Sequence, residues 1–171
     1  AQKIYMVGIG GIGMSALAQL YKSHGAQVVG SDRDESPTTH MLREKGIEVY
    51  IGHFAAQVPE DAQLLVYSDA VTQDNPERAQ AASLGIAQKS YFEALGDVAK
   101  GKRVVAVSGT NGKTTTTAML GRMLIDAGLD PTVVVGSIVT EWGSNFRAPS
   151  NPSGQEGGGL FIVEACEYRN H

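Results

Sequence analysis

Ser108-Gly109-Thr110-Asn111-Gly112-Lys113-Thr114-Thr115 brings three kinds of chemistry together at fixed spacing. Glycines free the backbone to turn its N–H groups toward phosphate oxygens. Lys113 offers a charge that reaches β- and γ-phosphates, and the Thr114 hydroxyl can ligate Mg²⁺. The apolar run Val104–Val107 precedes the loop and a helical pattern over about Lys113–Ala127 follows it. An ATP phosphate loop needs that strand–loop–helix setting. The form is the short G-T-x-G-K-T, since the longer pattern would place glycine at Val107. Gly109, Thr110, Asn111, Gly112, Lys113, Thr114 and Thr115 are therefore candidate ATP contacts, with Lys113 the candidate catalytic charge. A glycine turn with an accidental Lys-Thr would lack the flanking strand and helix.

Leu160–Val163 reads as a buried strand ending in Glu164. In phosphate-loop enzymes such an acid completes the Mg²⁺ shell. Thr114 and Glu164 are thus the candidate metal ligands, with Glu164 also a candidate catalytic residue. Standing alone, an acid there would more often be a solvated strand end. Glu167 is either an outer neighbour of the metal or simply solvated. Cys166 reads as a small buried residue, because no histidine partner lies close by in sequence.

A second glycine loop lies near the start. Gly8-Ile9-Gly10-Gly11-Ile12-Gly13-Met14 follows one apolar strand and opens a helix, matching G-x-G-x-x-G. Such a loop lets backbone approach a diphosphate at a helix N-terminus. Asp32 ends the next strand, 19 residues after Gly13, where an acid can accept hydrogen bonds from a ribose. His53 and Ser68 stand at predicted carboxyl ends of strands, the edge where open α/β sheets bind ligands. By position alone each is equally an ordinary loop residue.

The elements that must carry these loops alternate. Strands are predicted at Ile4–Val7, Val28–Gly30, Val49–Ile51 and Leu64–Tyr67. Helices are predicted over about Met14–His24, around Met41–Lys45, from Pro76 to about Leu84, and over Tyr91–Leu95. A break falls near Gly96–Arg103. The pattern then restarts with Val104–Val107, the second loop, its helix and a strand at Thr132–Val135. Ser144–Gly159, rich in Gly, Ser, Pro and Asn, reads as a mobile loop. The fold class expected is α/β: a Rossmann-like parallel sheet over residues 1–97, then over 98–171 the beginning of a P-loop ATPase domain.

Net charge is −4 with no basic block, which disfavours nucleic acid as a partner. A single cysteine cannot form an intrachain disulfide and suits a reducing compartment. No apolar run approaches the roughly 20 residues of a membrane helix. Cytoplasmic localisation without membrane insertion is the expectation. The chain starts at Ala1 and stops just after a strong strand, so it is also expected to be a piece of something longer.

Two phosphate-binding loops in tandem say more than either alone. With Val7–Ser15, Gly30-Ser31-Asp32, Gly52-His53, Tyr67–Val71, Asn75-Pro76, the Gly109–Thr115 loop and Val163–Glu167, the chain resembles the Mur ligase family of peptidoglycan precursor synthesis. Within it, the alanine-adding branch fits best, although Asn111 and Cys166 stand where that branch usually has His and Asp. The resemblance implies an ATP-dependent ligase that joins L-alanine to UDP-N-acetylmuramate through an acyl phosphate. Gly8, Gly10, Gly11, Gly13, Met14 and Ser15 would hold the UDP diphosphate, and Asp32, His53 and Ser68 the uridine. Lys113 would hold the ATP phosphates, and Thr114 and Glu164 the Mg²⁺. The amino-acid-binding domain would be absent, leaving this piece inactive alone. Three rivals stay open: a sibling ligase adding a peptide, an NAD-dependent oxidoreductase, which would leave Lys113-Thr114 idle, and a non-catalytic nucleotide-sensing module.

Overall fold

The apolar run near the amino terminus becomes the middle of a sheet. Lys3–Val7 forms β1, and Ile4, Tyr5, Met6 and Val7 have no exposed surface. A strand covered on both faces needs such a continuous run. The computed structural model describes residues 1–150 and 159–165. After β1 the chain alternates through α1 (Ile12–Ser23), β2 (Gln27–Asp32), α2 (Pro37–Glu44), β3 (Glu48–Ile51), β4 (Leu64–Tyr67), α3 (Pro76–Ser83), β5 (Ala87–Ser90) and α4 (Tyr91–Ala99). All five strands pair in parallel, in the order β3-β2-β1-β4-β5. The chain winds outward from β1 to one edge, then returns to its other side. That reversal opens a crevice at the strands' carboxyl ends.

Packing holds the arrangement. Tyr5, Val7, Val29, Leu65, Ala81 and Ile86 share one buried cluster. Each large side chain in it contributes on the order of 1.5–3 kcal/mol. Two helix starts are fixed by their caps. Ser36 accepts from the Thr39 N–H ahead of Pro37, and Asn75 accepts from the Glu77 and Arg78 N–H groups ahead of Pro76. The periodicity missed β5. Ala87-Gln88-Lys89-Ser90 carries no apolar stripe, and it becomes a strand because its backbone pairs with the edge of β4.

The chain divides into two units, Ala1–Val98 and Ala99–His171. The second holds β6 (Arg103–Val107), α5 (Lys113–Asp126), β7 (Thr132–Val139), β8 (Ser144–Arg147) and β9 (Leu160–Glu164). Its strand order is β6-β9-β7-β8. β9 runs parallel to both neighbours, and Phe161 and Ile162 are fully buried. Val133, Val135 and Ile162 form the core, with Ala118, Leu120 and Leu124 of α5 against it.

The loop expected over Ser144–Gly159 is corrected at its start. Ser144–Arg147 is β8, antiparallel to β7. Its polar residues are buried by pairing: Ser144 and Asn145 are almost fully covered, and Gly143, at φ +55°, makes the turn before them. Arg147 then donates to the Pro131 carbonyl at 2.5 Å and to Asp130 at 2.6 Å, anchoring the strand's end. Residues 151–158 of that expected loop, and Cys166 and Glu167, lie outside the described residues. No helix among the described residues is long and apolar enough to cross a membrane.

Candidate functional site

The turn after β1 is built by its glycines. Gly8 sits at φ +77°, where a side chain would be strained, so that Gly8 and Ile9 both donate to the Ser31 carbonyl at 2.9 Å. This ties the turn to β2. Gly10 donates to Asp32 Oδ2 at 2.7 Å, so the strand-end acid holds the loop directly. Gly11 caps α1 without any side-chain bond. The first N–H groups of α1 have no carbonyl within the helix, and they bring its positive end to the crevice.

The crevice has a volume of about 680 Å³. Of the sequence candidates it gathers Gly8, Gly10, Gly11, Asp32, His53 and Ser68. It does not gather Gly13, Met14 or Ser15 among its lining. A Cβ on Gly13 would lie 2.7 Å from the Tyr91 ring, so this glycine serves packing between α1 and α4. Met14 and Ser15 are buried within α1, and the Ser15 hydroxyl donates to the Ile12 carbonyl at 2.9 Å. Lining residues missed by the pattern include Arg33, Ser36, Thr72 and Asn75.

Behind His53 lies a cluster that the motifs did not reveal. His53 Nδ1 is 2.8 Å from Glu77 Oε2 and 3.1 Å from Ser31 Oγ. Ser31 Oγ donates to the same carboxylate oxygen at 2.8 Å, and Tyr5 Oη donates to Glu77 Oε1 at 2.7 Å. Burial, then the hydrogen bond to Glu77, pushes the Tyr5 hydroxyl well above its ordinary range, so it stays a donor. Glu77 and Tyr5 have no exposed surface. In sequence Glu77 follows Asn75-Pro76 and reads as an acid in a helix's first turn, a sufficient local reason for it.

In the second unit the register of β6 against β9 pairs Val107 with Glu164, which sets the strand-end acid beside the second glycine loop. Gly112, at φ +77°, precedes α5, and Lys113 opens it. Lys113 Nζ donates to the Gly109 carbonyl at 2.6 Å, spanning the loop. Thr114 Oγ1 donates to Glu164 Oε1 at 3.0 Å, and the Gly136 N–H donates to Glu164 Oε2 at 2.6 Å. Thr114 and Glu164 are thus brought together, while the Lys113 ammonium lies against the loop backbone at Gly109. Thr110, Asn111, Gly112 and Thr115 are exposed around it. Gly136 was missed: a Cβ there would collide with the Glu164 carboxylate, so only glycine admits the acid at this place.

A model of the Mur ligase family, catalytic domain, matches residues 3–103. The chain belongs to the Mur ligase family. It is 48% identical over 167 residues to UDP-N-acetylmuramate–L-alanine ligase of Caldicellulosiruptor saccharolyticus, covering 97% of this chain and 35% of that protein. It is 42% identical over 169 residues to the same-named ligase of Clostridium kluyveri, covering 98% and 35%. The chain therefore spans about a third of the length of the curated relatives it matches. In three dimensions it resembles the UDP-N-acetylmuramate–alanine ligase of Thermotoga maritima, with a TM-score of 0.85 and 34% identity over 96% of this chain and 37% of that one. It equally resembles a Mur ligase of Neisseria meningitides named for L-alanyl-γ-D-glutamyl-meso-diaminopimelate, with a TM-score of 0.86 and 33% identity over 98% and 53%. These likenesses fix the fold as a parallel α/β unit followed by the start of a Mur ligase ATPase unit.

Proposed function

We propose that the chain supplies the UDP-N-acetylmuramate-binding unit, and the opening part of the ATP-binding unit, of an ATP-dependent cytoplasmic ligase that adds L-alanine. The observation that carries this reading is the presence of two complete strand–glycine loop–helix constellations on two separate sheets. One sheet, with an open crevice, a helix N-terminus and Asp32, suits a nucleoside diphosphate. The other, with Lys113, suits a transferable phosphoryl group. A carboxylate is a poor electrophile. Transfer of the ATP γ-phosphoryl to the lactyl carboxylate of UDP-N-acetylmuramate gives an acyl phosphate and ADP. Attack by the amine of L-alanine then forms the amide and releases phosphate.

Each residue's part follows from its place. The Gly8–Gly11 turn and the α1 N-terminus hold the diphosphate, while Asp32, His53 and Ser68 surround the uridine. Lys113, released from the Gly109 carbonyl, lies against the β- and γ-phosphates and offsets charge as the phosphoryl group moves. Thr114 and Glu164 present two hard oxygen donors 3.0 Å apart, a set that fits Mg²⁺ completed by water and phosphate. When bound, Mg²⁺ would neutralise phosphate charge; the Gly136 N–H orients the acid toward it. The chain alone is expected to be inactive, and its net charge of −4 with no basic block disfavours nucleic acid as a partner. The likeness to the Neisseria protein favours one second reading, a sibling ligase adding a peptide.

The test is Lys113→Ala in the complete ligase. Phosphate release should fall on the order of 10³-fold or more, as charges in phosphoryl-transfer sites do. Affinity for UDP-N-acetylmuramate should stay unchanged, because the first loop holds it. Near-normal turnover would reject the ATP site, and a large loss of UDP-substrate affinity would reject the division into two sites. Supplying L-alanine or the tripeptide as the amine separates the two ligase readings.

A further inference from the structure

Glu77 is a fully buried carboxylate that faces donors from four places in the chain. Tyr5 of β1 reaches Oε1, and the Gln57 amide, turned to donate, reaches the same oxygen at 3.0 Å. Ser31 of β2 reaches Oε2, as does His53 Nδ1. Burying an ionised carboxylate is costly unless its oxygens are satisfied in this way. Of the five side chains, His53 opens on the crevice, with 23% of its side chain exposed. Its Nε2 has no hydrogen-bond partner among the described residues, and it is the ring nitrogen left to face a ligand.

We infer that Glu77 is a positioning residue: it holds a proton of His53 on Nδ1, so that in the neutral ring Nε2 meets the nucleotide as a hydrogen-bond acceptor. This rests on the reading of the crevice as a uridine nucleotide site. The geometry permits little else at Nδ1. The Ser31 hydroxyl spends its proton on Glu77, so both oxygens near Nδ1 offer lone pairs. A bare Nδ1 would face two acceptors with no proton between them; an N–H there satisfies both. The tautomer is set behind the ring by a group that touches no ligand. The ligand group it selects is a donor on the nucleoside, either the imide N–H of uracil or a ribose hydroxyl.

The tautomer is directly observable. In the ¹⁵N-labelled chain, above the pH at which a titration shows the ring to be neutral, His53 should show a protonated Nδ1 and a bare Nε2. Glu77→Gln replaces one acceptor oxygen with a donor amide. It should populate the opposite tautomer and weaken UDP binding about two- to tenfold, the range of a single hydrogen bond. UDP, 2′-deoxy-UDP and 3-methyl-UDP, each titrated into the native chain and His53→Ala, identify the donor. The analogue whose deficit vanishes in His53→Ala lacks the group that Nε2 reads. A native His53 protonated on Nε2 overturns the inference, whether or not Glu77→Gln folds. So does a folded Glu77→Gln with native tautomer and affinity, or a His53→Ala chain in which both deficits persist. If UDP fails to bind while His53 carries its proton on Nδ1, the uridine reading fails and the role of Glu77 stands.

Discussion

Gly11 and Gly13 sit two positions apart and answer to different forces. Gly11 has φ −58°, and a Cβ there would rest 3.4 Å from the Gly8 carbonyl, a contact that small adjustments accommodate. Gly13 has the Tyr91 ring where its Cβ would be. Gly13→Ala should therefore destabilise the chain by about 1–3 kcal/mol through overpacking. Gly11→Ala should cost about 0.5 kcal/mol or less. Urea unfolding of the two variants checks this, and equal midpoints would remove the packing role of Gly13. At this scale the two loops were legible, because each motif is local and its spacing is its chemistry. Glu77 was not: its partners Ser31 and Tyr5 lie 46 and 72 positions away, and only the fold brings them in. Gly136 was equally silent, since a glycine in a strand shows its purpose only when Glu164 is seen in the space a side chain would fill.

At the scale of elements, the helix that delivers Glu77 depends on its cap. The Asn75 side chain accepts from the Glu77 N–H at 2.9 Å and from the Arg78 N–H at 3.2 Å. Pro76 presets the first helical φ. Asn75→Ala should cost about 1 kcal/mol of stability, and fraying of this turn should loosen Glu77 from His53. Thermal unfolding with the His53 resonances followed in parallel measures both. A variant with native stability would show that the cap is dispensable. Buried strands such as β1 and β9 were legible as continuous apolar runs. β5 and β8 were not, because an edge strand is stabilised by backbone pairing and needs no apolar stripe. Ser144 and Asn145 look like loop residues, yet they are covered when β8 lies against β7.

For the molecule as a whole, the proposed function divides between two units. The first has a five-stranded parallel sheet whose winding reverses at β1, and its crevice follows from that topology. The second joins a glycine loop to a strand-end acid through the register of β6 and β9. A nicotinamide site would also use a glycine loop and an acid after β2, so the first unit's ligand is the claim most exposed to test. Calorimetric titration of the chain with UDP-N-acetylmuramate and, separately, with NAD decides it. The account predicts saturable binding of UDP-N-acetylmuramate, lost in Gly11→Val through intrusion into the crevice, and no heat from NAD; binding of NAD without binding of the UDP ligand would contradict it.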